Sequence, residues 1–232
     1  MGLTDNIRIK RANDDLFTIG DFDGAVSEYY PDFEIKGSPR EDKYSVEEGT
    51  VKLTTIGCII ENRDTPSLSL NFANPVNAGG GYVIGATAQE ESICRATGLY
   101  YTIRDVRKYY SDNIPHYAGG CTDNLIYSKN VLVHRDDSGK LLEKPFRTDF
   151  ITSAAVNRYG SMISHKRANE IMERRIRKLI SFAVSVSPPL LILGAYGCGA
   201  FGNRRDEVLP MFERAINDLT GGTDMKIIFA IP

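Results

Sequence analysis

Two adjacent carboxylates, Glu90 and Glu91, are the residues of this chain best suited to do chemistry. They follow Gln89 and come shortly after the triple glycine Gly79-Gly80-Gly81. A carboxylic acid can protonate a leaving oxygen and a second carboxylate can stabilise positive charge, so such a pair suits glycoside cleavage. Mutual repulsion and desolvation raise a carboxyl pKa, whereas a helix N-terminus lowers it. The sequence leaves open which effect wins.

A second interpretation of Glu90 is structural. Thr87 and Glu90 form a T-x-x-E pattern, which is typical of a capping box at the start of a helix. There Thr87 would cap the helix and Glu90 would reach back to the Thr87 amide. Glu91 lies one residue further, about 100° around the helix axis, and can face the glycine-rich loops.

Two glycine-rich loops follow predicted strands. Asn71 to Asn74 lead into the triple glycine, and the second loop runs from Gly194 to Asn203 before a predicted helix. In open α/β sheets ligands bind beyond the carboxyl ends of strands, where glycine N–H groups and a helix N-terminus can hold an anion without a cationic side chain. Neither loop has the lysine of a nucleoside triphosphatase, and the first lacks the dinucleotide fingerprint. The triple glycine alone is more typical of a turn, whereas the second loop is a more specific signal. Together the two loops could hold a diphosphate.

The composition excludes several other classes of protein. The 232 residues carry 28 basic and 30 acidic side chains, a formal charge of −2 that argues against direct DNA binding by counterion release. We find neither a secretory signal nor a run of about 18 apolar residues, which indicates a soluble protein with no membrane partner. The four cysteines lack metal-ligand or redox spacing, so we expect reduced thiols in the cytoplasm and no metal site.

Hydrophobic periodicity and turn signals predict the elements that must position these loops. Strands are predicted over residues 51–60, 67–72, 124–134, 147–155, 190–193 and 226–231. Helices are predicted over residues 90 to about 104, 164–186 and 208–219. Residues 37–49 are expected to be a loop that separates a leading segment from the main sheet. Strands that alternate with helices predict a three-layer α/β/α sandwich with a mixed sheet.

Several motifs occur in a characteristic order. They are Asn71 to Asn74 with the triple glycine and Gln89-Glu90-Glu91, Cys94-Arg95, residues 126–128 with Arg135-Asp136-Asp137, residues 151–155 with Asn157, and the second loop. This set resembles the signature of the poly(ADP-ribose) glycohydrolases of the bacterial and fungal branch, which have the macrodomain fold. The resemblance implies one macrodomain-like catalytic domain over residues 1–232, with a divergent leading segment at 1–64 and a family-like core at 65–232.

The resemblance also implies a role for each site residue. Glu91 would be the catalytic acid that protonates the leaving ribose oxygen, and water would complete hydrolysis at an oxocarbenium-like carbon. Glu90 would hydrogen-bond ribose hydroxyls, and Asn74 and Phe201 would contact the distal ribose. The other residues implied to bind ADP-ribose, including the glycines that would enclose the diphosphate, are Gly79, Gly80, Gly81, Gln89, Gly197, Cys198, Gly199, Ala200, Gly202 and Asn203.

We therefore expect an enzyme that cuts ribose–ribose O-glycosidic bonds of poly(ADP-ribose) and releases ADP-ribose, with no cofactor. One alternative is a hydrolase of single ADP-ribosyl groups on ADP-ribosylated protein, and another is a non-catalytic ADP-ribose-binding module. Gln89-Glu90-Glu91 argues against the binding module, because holding a diphosphate requires no acid beside the distal ribose. The three histidines show no metal-ligand spacing, and Cys198 has no histidine nearby in the sequence.

Overall fold

The computed structural model describes residues 2–19 and 24–232, so Met1 and residues 20–23 of the leading segment lie outside it. In the described part of the chain, seven strands form one mixed sheet in the order β1-β4-β5-β3-β6-β7-β2. The strands are β1 Val26–Tyr30, β2 Thr50–Val51, β3 Ser67–Phe72, β4 Leu125–Arg135, β5 Leu141–Ser153, β6 Leu190–Leu193 and β7 Lys226–Ala230. Strands β1, β4 and β5 pair antiparallel, and β5, β3, β6, β7 and β2 pair parallel.

Helices cover both faces of this sheet, as the three-layer prediction requires. The helices are α1 Leu3–Ile19, α2 Thr55–Glu61, α3 Gln89–Ala96, α4 Leu99–Ile103, α5 Arg107–Asn113, α6 His165–Val186 and α7 Arg205–Leu219. Strand β6 is buried on both faces: Leu191 and Leu193 pack with α6 and α7, whereas Leu190 and Ile192 pack with α2 to α5. Successive side chains of a strand point to opposite faces, so a continuous apolar run supplies both cores.

Most predicted elements are confirmed within a few residues, because their patterns are long or bounded by clear turns. The long amphipathic helix begins at His165 after Ser164, whose hydroxyl accepts a hydrogen bond from the Arg167 N–H at 3.2 Å. The buried strand Leu190–Leu193 has the predicted limits. The strand predicted over residues 147–155 is longer than expected, since β5 begins at Leu141.

The strand predicted over residues 51–60 is wrong. Only Thr50–Val51 is a strand, and a helix begins at Thr55. The hydroxyl of Thr54 accepts a 2.9 Å hydrogen bond from the Gly57 N–H and so caps α2. Apolar β-branched residues fit a strand locally, but in the fold Ile56 and Ile59 form one buried face of a helix.

The single helix predicted from residue 90 to about 104 is in fact two helices, α3 and α4. Between them Thr97 bridges to Val133, and the Gly98 N–H donates to the Leu132 carbonyl at 2.9 Å. A Cβ at Gly98 would lie 2.7 Å from the Phe17 ring. Pairing with β4 and close packing on α1 thus interrupt a segment that is continuous in the sequence pattern.

The leading segment belongs to the sheet, contrary to expectation. Residues 37–49 contain no strand or helix, but β1, which precedes them, pairs with β4 at one edge of the sheet. Helix α1, for which we found no sequence signal, lies against α3 and the 3₁₀ turn Tyr82–Ile84.

Candidate active site

A cleft of about 590 Å³ lies where the loops after β3, β6 and β7 meet, at the carboxyl ends of these parallel strands. The first residues of α2, α3 and α7 complete its walls. Nine predicted site residues line the cleft, namely Asn74, Gln89, Glu90, Glu91, Gly197, Cys198, Gly199, Ala200 and Phe201. The lining does not include the other five, which are Gly79, Gly80, Gly81, Gly202 and Asn203.

Glu91 is a buried carboxylate in the first turn of α3. Its side chain is held by the Gly81 N–H, which donates to Oε1 at 2.7 Å. The other oxygen, Oε2, is buried and has no hydrogen-bond partner in the described part of the chain. A residue that lines the cleft thus has one oxygen fixed and one oxygen available to hold or accept a proton.

Glu90 is held by hydrogen-bond donors from the end of β3 and the residues that follow it. Its Oε2 accepts from the Asn74 N–H at 2.7 Å, and Oε1 accepts from Asn71 Nδ2 at 3.3 Å. Burial raises the pKa of Glu90 from its ordinary 4.5 to about 8, against these donors, and the neighbouring Glu91 charge adds to the rise. Burial of Glu90 therefore outweighs the hydrogen bonds that favour its ionised form.

The predicted capping box is wrong. Helix α3 has Ala88 at its N-cap, with no side-chain cap, so Thr87 does not fill that position. Glu90 does not reach back to the Thr87 amide, because its carboxylate is bound by Asn71 and Asn74 from the end of β3. The contacts of Glu90 belong to the site and not to a helix cap.

Gln89 fixes the start of α3 to the sheet. Its Oε1 accepts from the Phe72 N–H at 2.9 Å, and its Nε2 donates to the Leu70 carbonyl at 2.8 Å and to Thr55 Oγ1 at 3.1 Å. Both the oxygen and the nitrogen of the side-chain amide thus form hydrogen bonds with main-chain groups of β3. Gln89 lines the cleft and also sets the position of the two glutamates that follow it.

The main chain of the triple glycine packs directly against the carboxylate of Glu91. Gly79 and Gly80 have φ of 69° and 57°, a conformation that side chains disfavour. A Cβ at Gly80 would collide with Oε1 of Glu91 and approach Glu90 Oε2 to 3.1 Å. Glycine is required here because the main chain lies directly against the carboxylates. The predicted contact of this loop with a diphosphate stays a prediction.

The second loop is held closed by Asn203, which is buried. Its Nδ2 donates to the Val156 carbonyl at 2.7 Å and the Gly197 carbonyl at 3.1 Å, so it ties the end of the loop to Gly197 and to the segment that follows β5. The guanidinium of Arg158 donates to Asn203 Oδ1 at 2.9 Å, and the Arg158 N–H donates to the Phe201 carbonyl at 2.8 Å. These contacts give Asn203 a role in shaping the loop whose glycines line the cleft.

Cys198 is a neutral thiol in this loop. Burial raises its pKa to about 11, and a protonated thiol is a poor nucleophile. The sulfur lies 3.6 Å from the Tyr196 carbonyl, to which it donates.

Residues outside the predicted set line the rest of the cleft. Thr54 and Asp137 lie at the α2 side, where the Thr54 hydroxyl donates to Asp137 Oδ2 at 2.5 Å. Arg205, in the first turn of α7, also lines the cleft, and it forms no ion pair with the described residues. The expectation of an anion site with no cationic side chain therefore needs correction. An arginine two residues beyond a glycine-rich loop was a usable signal.

The described residues contain neither a metal-binding cluster nor a membrane-spanning helix. No group of three histidine, cysteine, aspartate or glutamate side chains in residues 2–19 and 24–232 is arranged to hold a metal ion. No helix in the same residues combines the length and apolar character needed to cross a membrane.

Comparisons with known proteins identify relatives. The model of the microbial-type PARG catalytic domain matches residues 22–136. A structure of poly(ADP-ribose) glycohydrolase (PARG) from Thermomonospora curvata is 26% identical with a TM-score of 0.81, over 98% of this chain and 93% of that chain. PARG from Deinococcus radiodurans in complex with ADP-ribose is 31% identical with a TM-score of 0.69, over 78% and 76%. No curated protein sequence matches.

One further solved structure bears on the site. PARG from Thermomonospora curvata bound to the inhibitor ADP-HPD is 27% identical, with a TM-score of 0.80, over 98% of this chain and 93% of that chain. A buried glutamate pair beside a glycine-lined cleft fits a glycoside hydrolase, and the family model and the solved PARG structures show that the protein is of this class. Within that class, the chain belongs to the microbial-type poly(ADP-ribose) glycohydrolase family.

Proposed function

We propose that this protein hydrolyses ribose–ribose O-glycosidic bonds of poly(ADP-ribose) and releases ADP-ribose. The observation that carries the proposal is the geometry of Glu91: a cleft-lining carboxyl group with Oε1 fixed by the Gly81 N–H and Oε2 unpartnered. A general acid needs a defined position and a free oxygen to carry its proton. Glu91 has both, whereas both oxygens of Glu90 are engaged by Asn71 and Asn74, which hold that carboxyl group against the end of β3.

The reaction begins with proton transfer from Glu91 to the leaving ribose oxygen. The bond between that oxygen and the anomeric carbon breaks, and positive charge develops on the sugar. The newly formed Glu91 carboxylate stabilises this charge and then takes a proton from the attacking water. The water oxygen bonds to the anomeric carbon, so Glu91 regains its proton and ADP-ribose leaves.

Glu90 supports this step as a neutral group. With a pKa of about 8 it is mostly protonated near neutral pH, so it places no negative charge beside Glu91 before the proton is transferred. We propose that Glu90 and Asn74 bind the hydroxyls of the distal ribose, since both residues line the cleft and are hydrogen-bonded to each other. Phe201, on the opposite loop, would pack against that ribose.

The rest of the ligand follows the length of the cleft. The glycine-rich loop Gly197 to Phe201 offers main-chain N–H groups to the diphosphate, and Arg205 adds one positive charge beside them. Thr54, Ile56 and Asp137 line the cleft on its α2 side, where we place the adenosine. We keep Gly79 to Gly81, Gly202 and Asn203 as supports of the two loops.

The wider assignments follow from the same reasoning. We propose one macrodomain-like catalytic domain over residues 1–232, since strands of the leading segment and of the core share one sheet. The partners are then poly(ADP-ribose) or an ADP-ribosylated protein. All four cysteines are free thiols, which fits a reducing compartment, and we propose the cytoplasm.

A comparison of two substrates with two variants tests the function. Wild type, Glu91→Gln and Glu143→Gln are incubated with poly- and mono-ADP-ribosylated protein, and free ADP-ribose is measured. We expect release from the polymer by wild type, a loss of about 100-fold or more for Glu91→Gln, and no change for Glu143→Gln, which alters an exposed carboxylate on β5.

Other results of this experiment would identify an alternative function. Release only from the mono-modified protein would indicate a mono-ADP-ribosyl hydrolase. Binding of ADP-ribose without release from either substrate would indicate a binding module. Equal rates for wild type and Glu91→Gln would show that the acid is another group.

A further inference from the structure

Helix α1 contacts the loop that carries the triple glycine through one fully buried side chain, Asn13. Its exposed fraction is 0%, and its amide joins α1 to three other elements. The four hydrogen bonds of this amide are Nδ2 to Tyr82 Oη at 3.1 Å, Nδ2 to the Arg95 carbonyl at 3.0 Å, Arg135 Nε to Oδ1 at 2.9 Å and His134 Nε2 to Oδ1 at 3.0 Å.

The direction of the Asn13 amide is fixed by its partners. Arg135 Nε can only donate, so the oxygen of Asn13 must face β4, and the amide nitrogen must face Tyr82 and the Arg95 carbonyl. His134 fits this arrangement as a neutral donor through Nε2, because burial and the Arg135 charge lower its pKa to about 4. Asn13 is therefore anchored to the sheet on one side and to the loop and α3 on the other.

Tyr82, the partner of Asn13, is next in the chain to the residue that binds Glu91. Tyr82, which is 0% exposed, follows Gly81, and its own N–H donates to the Gly79 carbonyl at 2.9 Å. Gly81 supplies the N–H that holds Glu91 Oε1. A shift of Tyr82 would therefore move the Gly81 N–H away from the carboxylate.

Two further contacts hold the rest of the loop. Asn6 Nδ2, also on α1, donates to the Gly85 carbonyl at 2.9 Å, and Arg95 donates to the Ala86 carbonyl at 2.6 Å. Helix α1 therefore holds the segment between the triple glycine and the glutamates at two points, and the residue pair Asn13 and Tyr82 is the one nearer the acid.

We infer that Asn13 is a positioning residue for proton transfer by Glu91, acting through Tyr82 and the Gly81 N–H. The inference rests on the proposed function for its effect on catalysis. Its effect on the loop is independent of any activity, because the hydrogen bonds hold the loop with or without substrate. All of α1 lies before residue 22, where the match of the family model begins.

Tyr82→Phe is the variant that tests this inference most cleanly. It removes the hydroxyl that Asn13 binds but keeps the buried ring and the other three bonds of Asn13. Asn13→Leu, in contrast, would leave the buried donors of Arg135 and His134 without their acceptor and so destabilise the whole fold. We expect kcat for ADP-ribose release to fall about 5- to 10-fold, while the KM for polymer and the affinity for ADP-ribose stay within about twofold of wild type.

Tyr127→Phe is the matched control. Tyr127 is also buried, and its hydroxyl donates to Asp149 at 2.7 Å, near the amino-terminal ends of the strands and so away from the cleft. Tyr127→Phe loses the bond to Asp149, and Tyr82→Phe loses bonds to Asn13 and Tyr101, so both lower the thermal midpoint. Only Tyr82→Phe should lower kcat, measured well below both midpoints.

Hydrogen exchange separates this inference from the proposed function. We expect Tyr82→Phe to speed amide exchange in a peptide covering residues 79–88 by about 5-fold, and Tyr127→Phe to leave that peptide unchanged. Unchanged exchange, or equal kcat values for the two variants, would overturn the positioning role. A wild type that releases no ADP-ribose would overturn the proposed function, while exchange would still decide whether Asn13 holds the loop.

Discussion

The main-chain N–H of Gly81 donates a 2.7 Å hydrogen bond to Oε1 of Glu91. The two residues are ten positions apart, and the loop between them turns back on itself so that a main-chain group meets the carboxylate. A short bond of this kind, made to a group that can carry charge, is stronger than one between neutral groups. It fixes one oxygen of the acid, while the other, Oε2, has no hydrogen-bond partner among the described residues.

Substitution of Gly80 should disable the acid. An alanine there must adopt a φ near 57° and place its Cβ against Glu91 Oε1. We expect Gly80→Ala to lower kcat by about 10-fold or more and to destabilise the fold by about 1–3 kcal/mol. Gly119→Ala is the control, because its Cβ would meet no atom within 4 Å. Wild-type activity in Gly80→Ala, measured by ADP-ribose release, would contradict the close packing of Gly80 against Glu91 Oε1.

The stability of the fold should depend on pH through Glu90. Its pKa is about 8 in the folded protein against an ordinary 4.5, so the folded carboxyl keeps its proton where the unfolded chain has lost it. The stability that Glu90 contributes is full below about pH 4.5, falls as pH rises, and is lost above about pH 8. Glu90→Gln cannot ionise and should avoid this loss.

Thermal unfolding of wild type, Glu90→Gln and Glu143→Gln over about pH 5 to pH 9 measures the effect. We expect the unfolding midpoint of Glu90→Gln minus that of wild type to increase by several degrees from the lower to the higher pH. The difference between Glu143→Gln and wild type should stay constant. Parallel pH curves for Glu90→Gln and wild type would show that Glu90 is ionised in the folded protein.

Arg205 should contribute to ligand affinity, and its neighbour should not. Arg205 lines the cleft without an ion pair to any described residue, whereas Arg204 is paired with Asp206 at 2.5 Å. We expect Arg205→Ala to weaken ADP-ribose binding about 3- to 10-fold and Arg204→Ala to leave it unchanged, as measured by calorimetry. The same loss in both variants would indicate a general charge effect.

Salt should weaken ADP-ribose binding only modestly. The cleft offers main-chain N–H groups and one unpaired cation, so few ions are exchanged on binding. Between about 50 and 500 mM NaCl we expect the Kd to rise less than about 10-fold. A steep, multi-charge dependence would contradict a pocket that holds one diphosphate.

The second loop should open when Asn203 is truncated. Asn203→Ala removes the donors to the Val156 and Gly197 carbonyls, so we expect ADP-ribose affinity to fall about 10-fold. Asn217→Ala is the control, because Asn217 ties Tyr44 to α7 by similar bonds away from the cleft. Equal affinities for the two variants would show that the loop keeps its shape without Asn203.

Elements with a sustained periodic pattern were predictable from the sequence, and those fixed by distant contacts were not. The run Leu190–Leu193 could only be a buried strand between breaking residues, and it is one. The segment after Val51 has the composition of a strand, but the Thr54 cap and burial of its apolar face make it a helix. Thr97 and Gly98 end α3 because β4 and Phe17 lie beside them.

The residues able to do the chemistry are recognisable without a structure: an adjacent glutamate pair, a triple glycine before it, and a second glycine-rich loop after a buried strand. These signals are local, because they depend on residue type and short spacing. The protonation and hydrogen bonding of each group depend instead on how the chain folds. Glu90 has a raised pKa because it is buried between α3 and the end of β3, and Glu91 has a free oxygen because Gly81 holds the other. Burial and hydrogen bonding come from residues brought together by folding, among them Asn13 of a helix with no sequence signal.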